Sequence, residues 1–280
     1  GIPDGVFNVV YGGGEAGAAL ASHPEIDGVS FTGSVATGAQ VSASAIANQT
    51  RIQCEMGGKN ALVILDDADM QTAVNVAMNG AFFSSGQKCT ASSRLVVLDA
   101  IHDQFVEALS KRCSELKVGH ALELGTNIGP LASKSQFSKV HDYLNIAKEE
   151  GAELIASENL TTAFDAHYVT PKILLGTQQD TRINQEEIFG PVLVSTTFRT
   201  PSEAAEIANN TRYGLAATLW SEDINVALDI APKLAAGVVW INGTNMLDAA
   251  VEGTFKGLYC QGEDILQSDP DTKHVAAGLA

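Results

Sequence analysis

The stretch VFNVVYGGGEAGAALASHPEIDGVSFTGSVATGAQVSASAIAN, residues 6–48, decides the fold class. Two short apolar runs, each followed by a glycine-containing turn and then a helical pattern, predict the following elements: a strand over Val6–Tyr11, a helix over Glu15–Ser22, a strand over Ile26–Phe31 and a helix over Val35–Asn48. Two strands joined by a helix form a βαβ unit, of the kind that binds dinucleotides. The stretch therefore predicts an α/β fold with a partial Rossmann-like unit.

The rest of the chain repeats this alternation, which is typical of an α/β domain with a mainly parallel sheet. The patterns predict further strands over Ala61–Leu65, Arg94–Leu98, Tyr168–Leu175, Pro191–Thr197, Ala217–Trp220 and Val238–Asn242. Helices are predicted over Asp69–Phe83, Ile101–Leu116, Ser133–Glu150 and Ile224–Leu234. From about Val251 the periodicity ends, so we treat residues 251–280 as a divergent tail.

Charge and hydropathy exclude several classes of function. The 280 residues carry a net charge of −16, which repels phosphate backbones and anionic membrane surfaces. We therefore expect no nucleic-acid partner and no membrane association. No apolar run reaches the roughly 20 residues of a membrane span, and the start lacks the pattern of a signal peptide. A cytoplasmic protein fits these features best.

The cysteine and histidine positions predict no metal site. None of the four cysteines forms a C-x-x-C pair, and four cysteines in a chain of this length do not make a disulfide scaffold. The six histidines are scattered without metal-ligand spacing. A reducing compartment is consistent with this usage of cysteine.

Two glycine turns are candidates for a phosphate site. Gly12–Gly17 literally fits G-x-G-x-x-G, but the expected acidic partner about 20 residues on is not clear, so we favour an ordinary strand–helix turn. Thr32-Gly33-Ser34 precedes the second predicted helix, whose N–H groups and a Ser34 hydroxyl would suit a pyrophosphate. The alternative for Ser34 is an ordinary helix N-cap.

Cys89 is the candidate nucleophile. It follows the Ser84-Ser85-Gly86 turn, and a helix start at this point together with the adjacent Lys88 would lower the thiol pKa and favour the thiolate. The simpler interpretation is a buried structural cysteine, the common fate of a lone one. Glu55 stands beside two glycines, which would let its carboxylate move. Without other evidence, the sequence around Glu55 is typical of a surface turn.

Seven strings in order resemble the aldehyde dehydrogenase superfamily. They are GVFNVV (5–10), FTGS (31–34), EMGGK (55–59), GQKC (86–89), EIFGPV (187–192), NNTRYGL (209–215) and WIN (240–242). The resemblance covers about residues 1–250. The separation of Glu55 from Cys89 also looks right for the base and nucleophile of that family.

The resemblance implies a function and a set of residue roles. Cys89 would attack an aldehyde to give a thiohemiacetal, hydride transfer to NAD or NADP would leave a thioester, and Glu55 would activate the water that releases the acid. Gly33 and Ser34 would face the cofactor pyrophosphate. Glu187 would bind the nicotinamide ribose, and Phe189 would pack near the nicotinamide.

The same resemblance implies a domain organisation. Residues 1–54 would be the C-terminal part of a dinucleotide-binding domain, and residues 55–250 the catalytic domain. The family's N-terminal portion, with a second oxyanion donor, would be missing, so the chain is expected to be a fragment. The full-length form would be a homo-oligomer that acts on a small-molecule aldehyde.

Two other functions stay open at this point. A truncated relative that keeps Cys89 and Glu55 but not the cofactor-binding half could act as an assembly or interaction partner instead of an enzyme. A thiol hydrolase without hydride transfer is a third interpretation, and no histidine near Cys89 in sequence supports it.

Overall fold

The computed structural model describes residues 1–156, 167–243 and 257–260, and it divides the chain into two compact units. The first unit comprises Gly1–Gly57 and the second unit Gly58–Ala280. The α/β fold class predicted from the sequence is confirmed. The tail beyond Cys260 lies outside the described residues.

The first unit contains a βαβ unit, displaced along the chain from the predicted one. Helix α1 (Gly14–Ala21) is followed by β1 (Gly28–Thr32), α2 (Val35–Ala47) and β2 (Arg51–Glu55). Strands β1 and β2 are parallel, with Gly28 opposite Arg51 and Thr32 opposite Glu55. The crossover helix is therefore α2, and β2 is a strand that the periodicity did not reveal.

The predicted strand over Val6–Tyr11 was wrong. Residues 6–11 form no strand, and the side chains of Phe7 and Tyr11 are 75% and 93% exposed. A strand is stable only when a neighbour satisfies its backbone donors and acceptors, and this segment pairs with neither β1 nor β2. Its apolar composition is that of a buried strand, but no pairing partner lies in the first unit.

The second unit is built on an eight-stranded sheet with the order β10-β9-β8-β3-β4-β7-β6-β5. The strands are β3 (Asn60–Ile64), β4 (Ser92–Leu98), β5 (Glu153–Ala156), β6 (Lys172–Leu175), β7 (Val192–Phe198), β8 (Ala216–Trp220), β9 (Val238–Ile241) and β10 (Gly257–Cys260). Six central strands are parallel, and each edge strand pairs antiparallel with its neighbour. The prediction of a mainly parallel sheet is confirmed.

Helices cover both faces of this sheet. They are α3 (Met70–Phe82), α4 (His102–Ser114), α5 (Lys134–Glu149), α6 (Arg182–Gln185), α7 (Pro201–Asn209) and α8 (Ile224–Ile230). Because strand side chains alternate, β3 sends Leu62 toward α3 and α4 and sends Val63 toward α7 and α8. Both are completely buried, which explains why β3 reads as a continuous apolar run.

Most element boundaries in the second unit match the sequence prediction to within two residues, but some elements were missed. The periodicity gave no sign of β5, α6 or β10. Residues 168–171 were predicted to be strand and are not, since β6 begins at Lys172. The helix predicted over Ile224–Leu234 ends at Ile230, and a 3-10 turn follows over Ala231–Lys233. Pro232 lies in that turn, where it cannot donate a helical hydrogen bond.

Candidate active site

The candidate site residues of the second unit lie along one edge of its sheet. Gly58 and Lys59 directly precede β3, Cys89 precedes β4, and Glu187 and Phe189 precede β7. Strands β3, β4 and β7 are parallel neighbours, so their amino ends meet at the same edge. Ligands of open α/β sheets usually bind at the carboxyl edge, so the location was not predictable from fold type alone.

Cys89 is an exposed residue in a turn between the 3-10 turn Phe83–Gly86 and β4. The predicted helix start at this position was wrong, because the chain enters a strand instead. A helix N-terminus therefore contributes nothing to the ionisation of the thiol. The interpretation of Cys89 as a buried structural cysteine is also wrong.

Asn60 holds the backbone around Cys89 in place. Its amide Nδ2 donates to the Cys89 carbonyl at 2.7 Å and to the Ala91 carbonyl at 3.0 Å, and its Oδ1 accepts from the Ala216 N–H at 3.1 Å. Asn60 is buried, so these hydrogen bonds form away from water. A Cβ on Gly58 would lie 2.7 Å from the Cys89 carbonyl oxygen, so only glycine fits beside this loop.

Lys88 supplies positive charge next to Cys89. Its Nζ donates to the Asn79 carbonyl near the end of α3 at 3.5 Å. Burial lowers the pKa of Lys88, and the negative charge of the Cys89 thiolate acts in the opposite direction. The two residues thus interact electrostatically.

The backbone is strained where the Cys89 loop packs against the loop that precedes β7. Ser84, Ser85 and Gly86 all have positive φ, and a Cβ on Gly86 would collide with the Gly190 carbonyl. Phe189 also has a positive φ of 57°, which is unusual for an aromatic residue. Such strain persists only where the surroundings enforce it, and it is common at functional sites.

Glu187 and Phe189 lie in the same cleft as Lys88. Glu187 Oε1 accepts from the Gly58 N–H at 3.1 Å, a contact between residues 129 positions apart. The cleft is lined by Gly58, Lys88, Ser93, Glu187, Phe189 and other residues. The structure thus brings together three strings that are distant in sequence, namely those at residues 58–60, 86–89 and 187–190.

Two buried cations behind this edge were not singled out in the sequence. Arg94 donates to the carbonyls of Lys59, Ile207 and Ala208 at 2.6–2.9 Å, and burial lowers its pKa to about 10. Lys59 is only 1% exposed, and within the described part of the chain its Nζ has no hydrogen-bond partner.

Burial, followed by the charge of Arg94, lowers the pKa of Lys59 to about 7, although Glu187 and Glu186 oppose the shift. Lysine is rarely buried, so composition gave no signal of this.

Glu55, Gly33 and Ser34 lie in the first unit, at the carboxyl edge of its two parallel strands. Glu55 is the exposed last residue of β2, and its carbonyl accepts from the Gly33 N–H at 3.1 Å. Ser34 is the N-cap of α2, and its hydroxyl accepts from the Thr37 N–H at 3.2 Å. The N-cap interpretation is therefore confirmed, and it leaves the first N–H groups of α2 for a ligand.

The described residues contain neither a cluster of metal-binding side chains nor a helix that could span a membrane. Within residues 1–156, 167–243 and 257–260, no group of three or more His, Cys, Asp or Glu side chains is arranged to hold a metal ion. No helix in that part of the chain is both long and apolar enough to cross a membrane.

Residues 1–259 match the model of the aldehyde dehydrogenase family. The chain belongs to this family. It is 43% identical over 249 residues to a betaine aldehyde dehydrogenase of Bacillus subtilis, an alignment that covers 86% of this chain and 50% of the relative. It is 40% identical to an aldehyde dehydrogenase of Emericella nidulans over 91% of this chain and 52% of that protein.

Solved aldehyde dehydrogenase structures show the same fold. A betaine aldehyde dehydrogenase of Staphylococcus aureus, in complex with NAD+, superposes with a TM-score of 0.81 at 38% identity, over 85% of this chain and 48% of that one. A putative aldehyde dehydrogenase of Burkholderia cenocepacia gives 0.84 at 37% identity, over 88% of this chain and 51% of that one. The chain therefore spans about half the length of the relatives it matches.

Proposed function

We propose that this chain carries the catalytic half of an NAD(P)-dependent aldehyde dehydrogenase, which oxidises an aldehyde to a carboxylic acid. The observation that carries the proposal is the exposed Cys89, whose backbone is fixed by buried Asn60 and whose neighbour is the half-buried cation Lys88. Family membership supports the same chemistry.

Cys89 is the proposed nucleophile. Its thiolate attacks the aldehyde carbon, forming a C–S bond and a thiohemiacetal oxyanion, and the Cys89 backbone N–H donates to that oxygen. Lys88 favours the thiolate, and Asn60 keeps the loop from moving away as the bond forms. Loss of hydride from the same carbon leaves a thioester on Cys89.

Glu55 is the proposed general base of the second step. It removes a proton from water, the water oxygen attacks the thioester, and the C–S bond breaks to release the acid and the Cys89 thiolate. Its position at a strand end, with Gly57 two residues further on, supports a movable carboxylate.

The residues present fit a nicotinamide dinucleotide. Helix α2 begins with N–H groups that suit a pyrophosphate, and Gly33 and Ser34 stand at that helix start. Glu187 is a half-buried carboxylate that can accept from ribose hydroxyls, and Phe189 lines the same cleft. When bound, the cofactor would accept the hydride from the substrate carbon.

Substrate, assembly and location follow as parts of the same proposal. A small aldehyde is the substrate, and betaine aldehyde, named in several relatives, is one candidate. We place the protein in the cytoplasm and expect the full-length form to be a homo-oligomer. The net charge of −16 supports the absence of a nucleic-acid partner.

Formation of NADH from NAD+ across a panel of aldehydes tests the proposal, with the 280-residue chain compared with Cys89→Ala and Glu55→Gln. We expect steady turnover by the unaltered chain and none by Cys89→Ala. Glu55→Gln should form about one NADH per chain in a burst and then stop, because the thioester forms but is not hydrolysed. Turnover that survives Cys89→Ala would refute the role of Cys89.

A chain that produces no NADH would instead favour the second function, a non-catalytic assembly or interaction partner. The observation that keeps this alternative is the span of about half of the relatives' length.

A further inference from the structure

The two peptide groups that flank Cys89 are both held by hydrogen bonds. The Lys88 carbonyl, in the peptide group before Cys89, accepts from the Ala91 N–H at 3.1 Å. The Cys89 carbonyl, in the peptide group after it, accepts from Asn60 Nδ2 at 2.7 Å. Because each peptide group is planar, fixing both planes fixes the backbone dihedral angles of Cys89. The Cys89 N–H and the bond that carries its thiol group therefore keep fixed directions relative to each other.

The amide of Asn60 has one possible orientation. Its Oδ1 accepts from the Ala216 N–H at the start of β8, at 3.1 Å. Its Nδ2 donates to the carbonyls of Cys89 and Ala91, and only the NH2 end of an amide can donate. A flipped amide would place its oxygen against two carbonyl oxygens. Because Asn60 is only 4% exposed, water does not substitute for these three bonds.

Two roles are open to an amide at this place. Asn60 could serve the sheet alone, because it joins the amino ends of β3, β4 and β8. Its bond to Cys89 differs from the other two, since Cys89 lies in the turn before β4 and outside the ladder of the sheet. This bond is also the shortest of the three. It acts directly on a peptide group of the proposed nucleophile.

From this geometry we infer that Asn60 is a positioning residue for the first chemical step. It sets the direction of the Cys89 N–H relative to the thiol, so that this N–H meets the oxygen of an aldehyde as the C–S bond forms. The inference rests on the proposed function, because it takes Cys89 as the nucleophile.

The step in question is the addition of the Cys89 thiolate to the carbonyl carbon. The C–S bond forms, and the π electron pair of the carbonyl moves to its oxygen. The Cys89 N–H stabilises this oxyanion until the oxygen takes a proton from water. Loss of one such donor typically costs about 10²–10³ in rate, so a donor that is turned away from the oxygen should cost a comparable amount.

Two substitutions remove the donor and keep the size of the side chain. Asn60→Asp places a carboxylate oxygen against the Cys89 carbonyl, and Asn60→Leu replaces both polar atoms by methyl groups. Only Asn60→Asp adds a charge, so a result that both variants share comes from the lost hydrogen bond. Asn242→Asp is the matched control, because the Asn242 amide accepts from the Ser221 N–H at 3.0 Å and donates to the Ser221 carbonyl at 2.8 Å, at the opposite edge of the sheet.

Amide hydrogen exchange at Ala91 measures whether the turn around Cys89 stays fixed. We expect the Ala91 N–H to exchange at least about tenfold faster in both Asn60 variants, and at the rate of the unaltered chain in Asn242→Asp. The fluorescence of Trp220 and Trp240 shows in the same samples that the second unit is folded.

Reversible addition of propionaldehyde to Cys89 measures the chemical consequence without NAD+. The aldehyde protects Cys89 from iodoacetamide, and peptide mass spectrometry quantifies the alkylation of Cys89 alone. We expect the aldehyde concentration that gives half protection to rise about tenfold in Asn60→Asp and Asn60→Leu, because the oxygen of the adduct loses a well-directed donor. Asn242→Asp should leave this concentration unchanged.

A change of pH separates the lost hydrogen bond from other effects of the substitution. When the carboxyl group introduced by Asn60→Asp takes up a proton, it can again donate to the Cys89 carbonyl and accept from the Ala216 N–H. In acid, Ala91 exchange and aldehyde protection in Asn60→Asp should therefore approach those of the unaltered chain at the same pH. Asn60→Leu has no group that titrates and should show no such recovery.

Ala91 exchange and aldehyde protection that remain unchanged in both Asn60 variants overturn the inference, and Asn60 then serves the sheet alone. The expected changes in a chain that forms no NADH uphold the positioning role and remove only the proposed oxidation. An unaltered chain whose Cys89 is not protected by propionaldehyde refutes the nucleophile, and the inference fails with it. Where NADH is formed, its burst rate constant should fall about a hundredfold in both Asn60 variants, with KM for NAD+ unchanged.

Discussion

The two compact units differ most in how they treat their apolar side chains. The first unit, all of which is described, buries two hydrophobic side chains, Ala21 and Ala45, and leaves Val6, Phe7 and Tyr11 among its large exposed ones. The second unit buries Leu62, Val63 and dozens more against helices on both faces of its sheet. Apolar composition therefore predicts burial only where the chain also supplies the neighbouring strands and helices.

The largest effect expected from this comparison is on core leucines. Leu62→Ala removes a completely buried side chain from β3 and should lower the free energy of unfolding by about 2–5 kcal/mol, since it leaves a cavity. Leu20→Ala in α1 is the matched control, because Leu20 is 50% exposed, and it should cost under about 1 kcal/mol.

Denaturant titration measures the first of these changes. Both tryptophans, Trp220 and Trp240, lie in the second unit, so their fluorescence reports its unfolding specifically. Amide hydrogen exchange along α1 measures the effect of Leu20→Ala on the first unit. Equal losses for the two leucines would show that burial in the two units does not differ as described.

The two units also differ in buried charge. The second unit holds a buried ammonium at Lys59, and the first unit buries none. The pKa of Lys59 is about 7 in the folded chain, against an ordinary value of 10.5, so between these values the unfolded chain binds a proton that the folded chain does not. Stability contributed by this group therefore rises with pH above 7. Below pH 7 the folded chain carries the full cost of the buried charge.

Lys59→Met removes that cost. At pH 6 the variant should be more stable than the unaltered chain, and at pH 9 the advantage should narrow by about 2–3 kcal/mol. The difference between the two pH profiles of tryptophan-monitored unfolding isolates Lys59 from other titrating groups. The exposed Lys134→Met should leave the profile unchanged. Parallel profiles for Lys59→Met and the unaltered chain would mean that the lysine is not desolvated.

The difference between the two units also explains which strands could be predicted from the sequence. In the second unit, runs such as residues 61–65 and 217–220 predicted strands because both faces of the sheet are covered within the chain. In the first unit the equally apolar Val6–Tyr11 was wrongly predicted to be a strand, because strand formation depends on a neighbouring strand that composition does not reveal. Strand β2 was not predicted, because its exposed polar residues Arg51, Gln53 and Glu55 alternate with half-buried residues, so β2 contains no continuous apolar run.

The sequence predicted the short motifs of the candidate site but not how these motifs are arranged in space. Cys89 was picked out from its glycine turn and the adjacent Lys88, and Glu187 through the resemblance. The structure brings Lys88 and Glu187 into one cleft. Asn60 was part of a quoted string without a role, yet its amide fixes the Cys89 loop. Hydrogen bonds between residues 29 to 156 positions apart, as Asn60 makes, leave no periodic trace in a sequence.

The smallest expected effect separates two roles of Ser34 in the first unit. As the N-cap of α2 its hydroxyl accepts from the Thr37 N–H, so Ser34→Ala should destabilise the helix by about 1 kcal/mol. Amide exchange in α2 should then accelerate about fivefold. Ser34→Asp should show no such change, because an aspartate carboxylate is an equally good cap.

The same pair of variants tests the proposed pyrophosphate contact. If Ser34 faces the cofactor, the carboxylate of Ser34→Asp repels the pyrophosphate, so the affinity for NAD+ measured by calorimetry should fall while α2 stays protected. If Ser34 is a cap alone, Ser34→Asp should bind NAD+ as the unaltered chain does. Ser34→Asp distinguishes the two roles of Ser34, because this variant keeps the N-cap of α2 and changes the charge at the start of the helix.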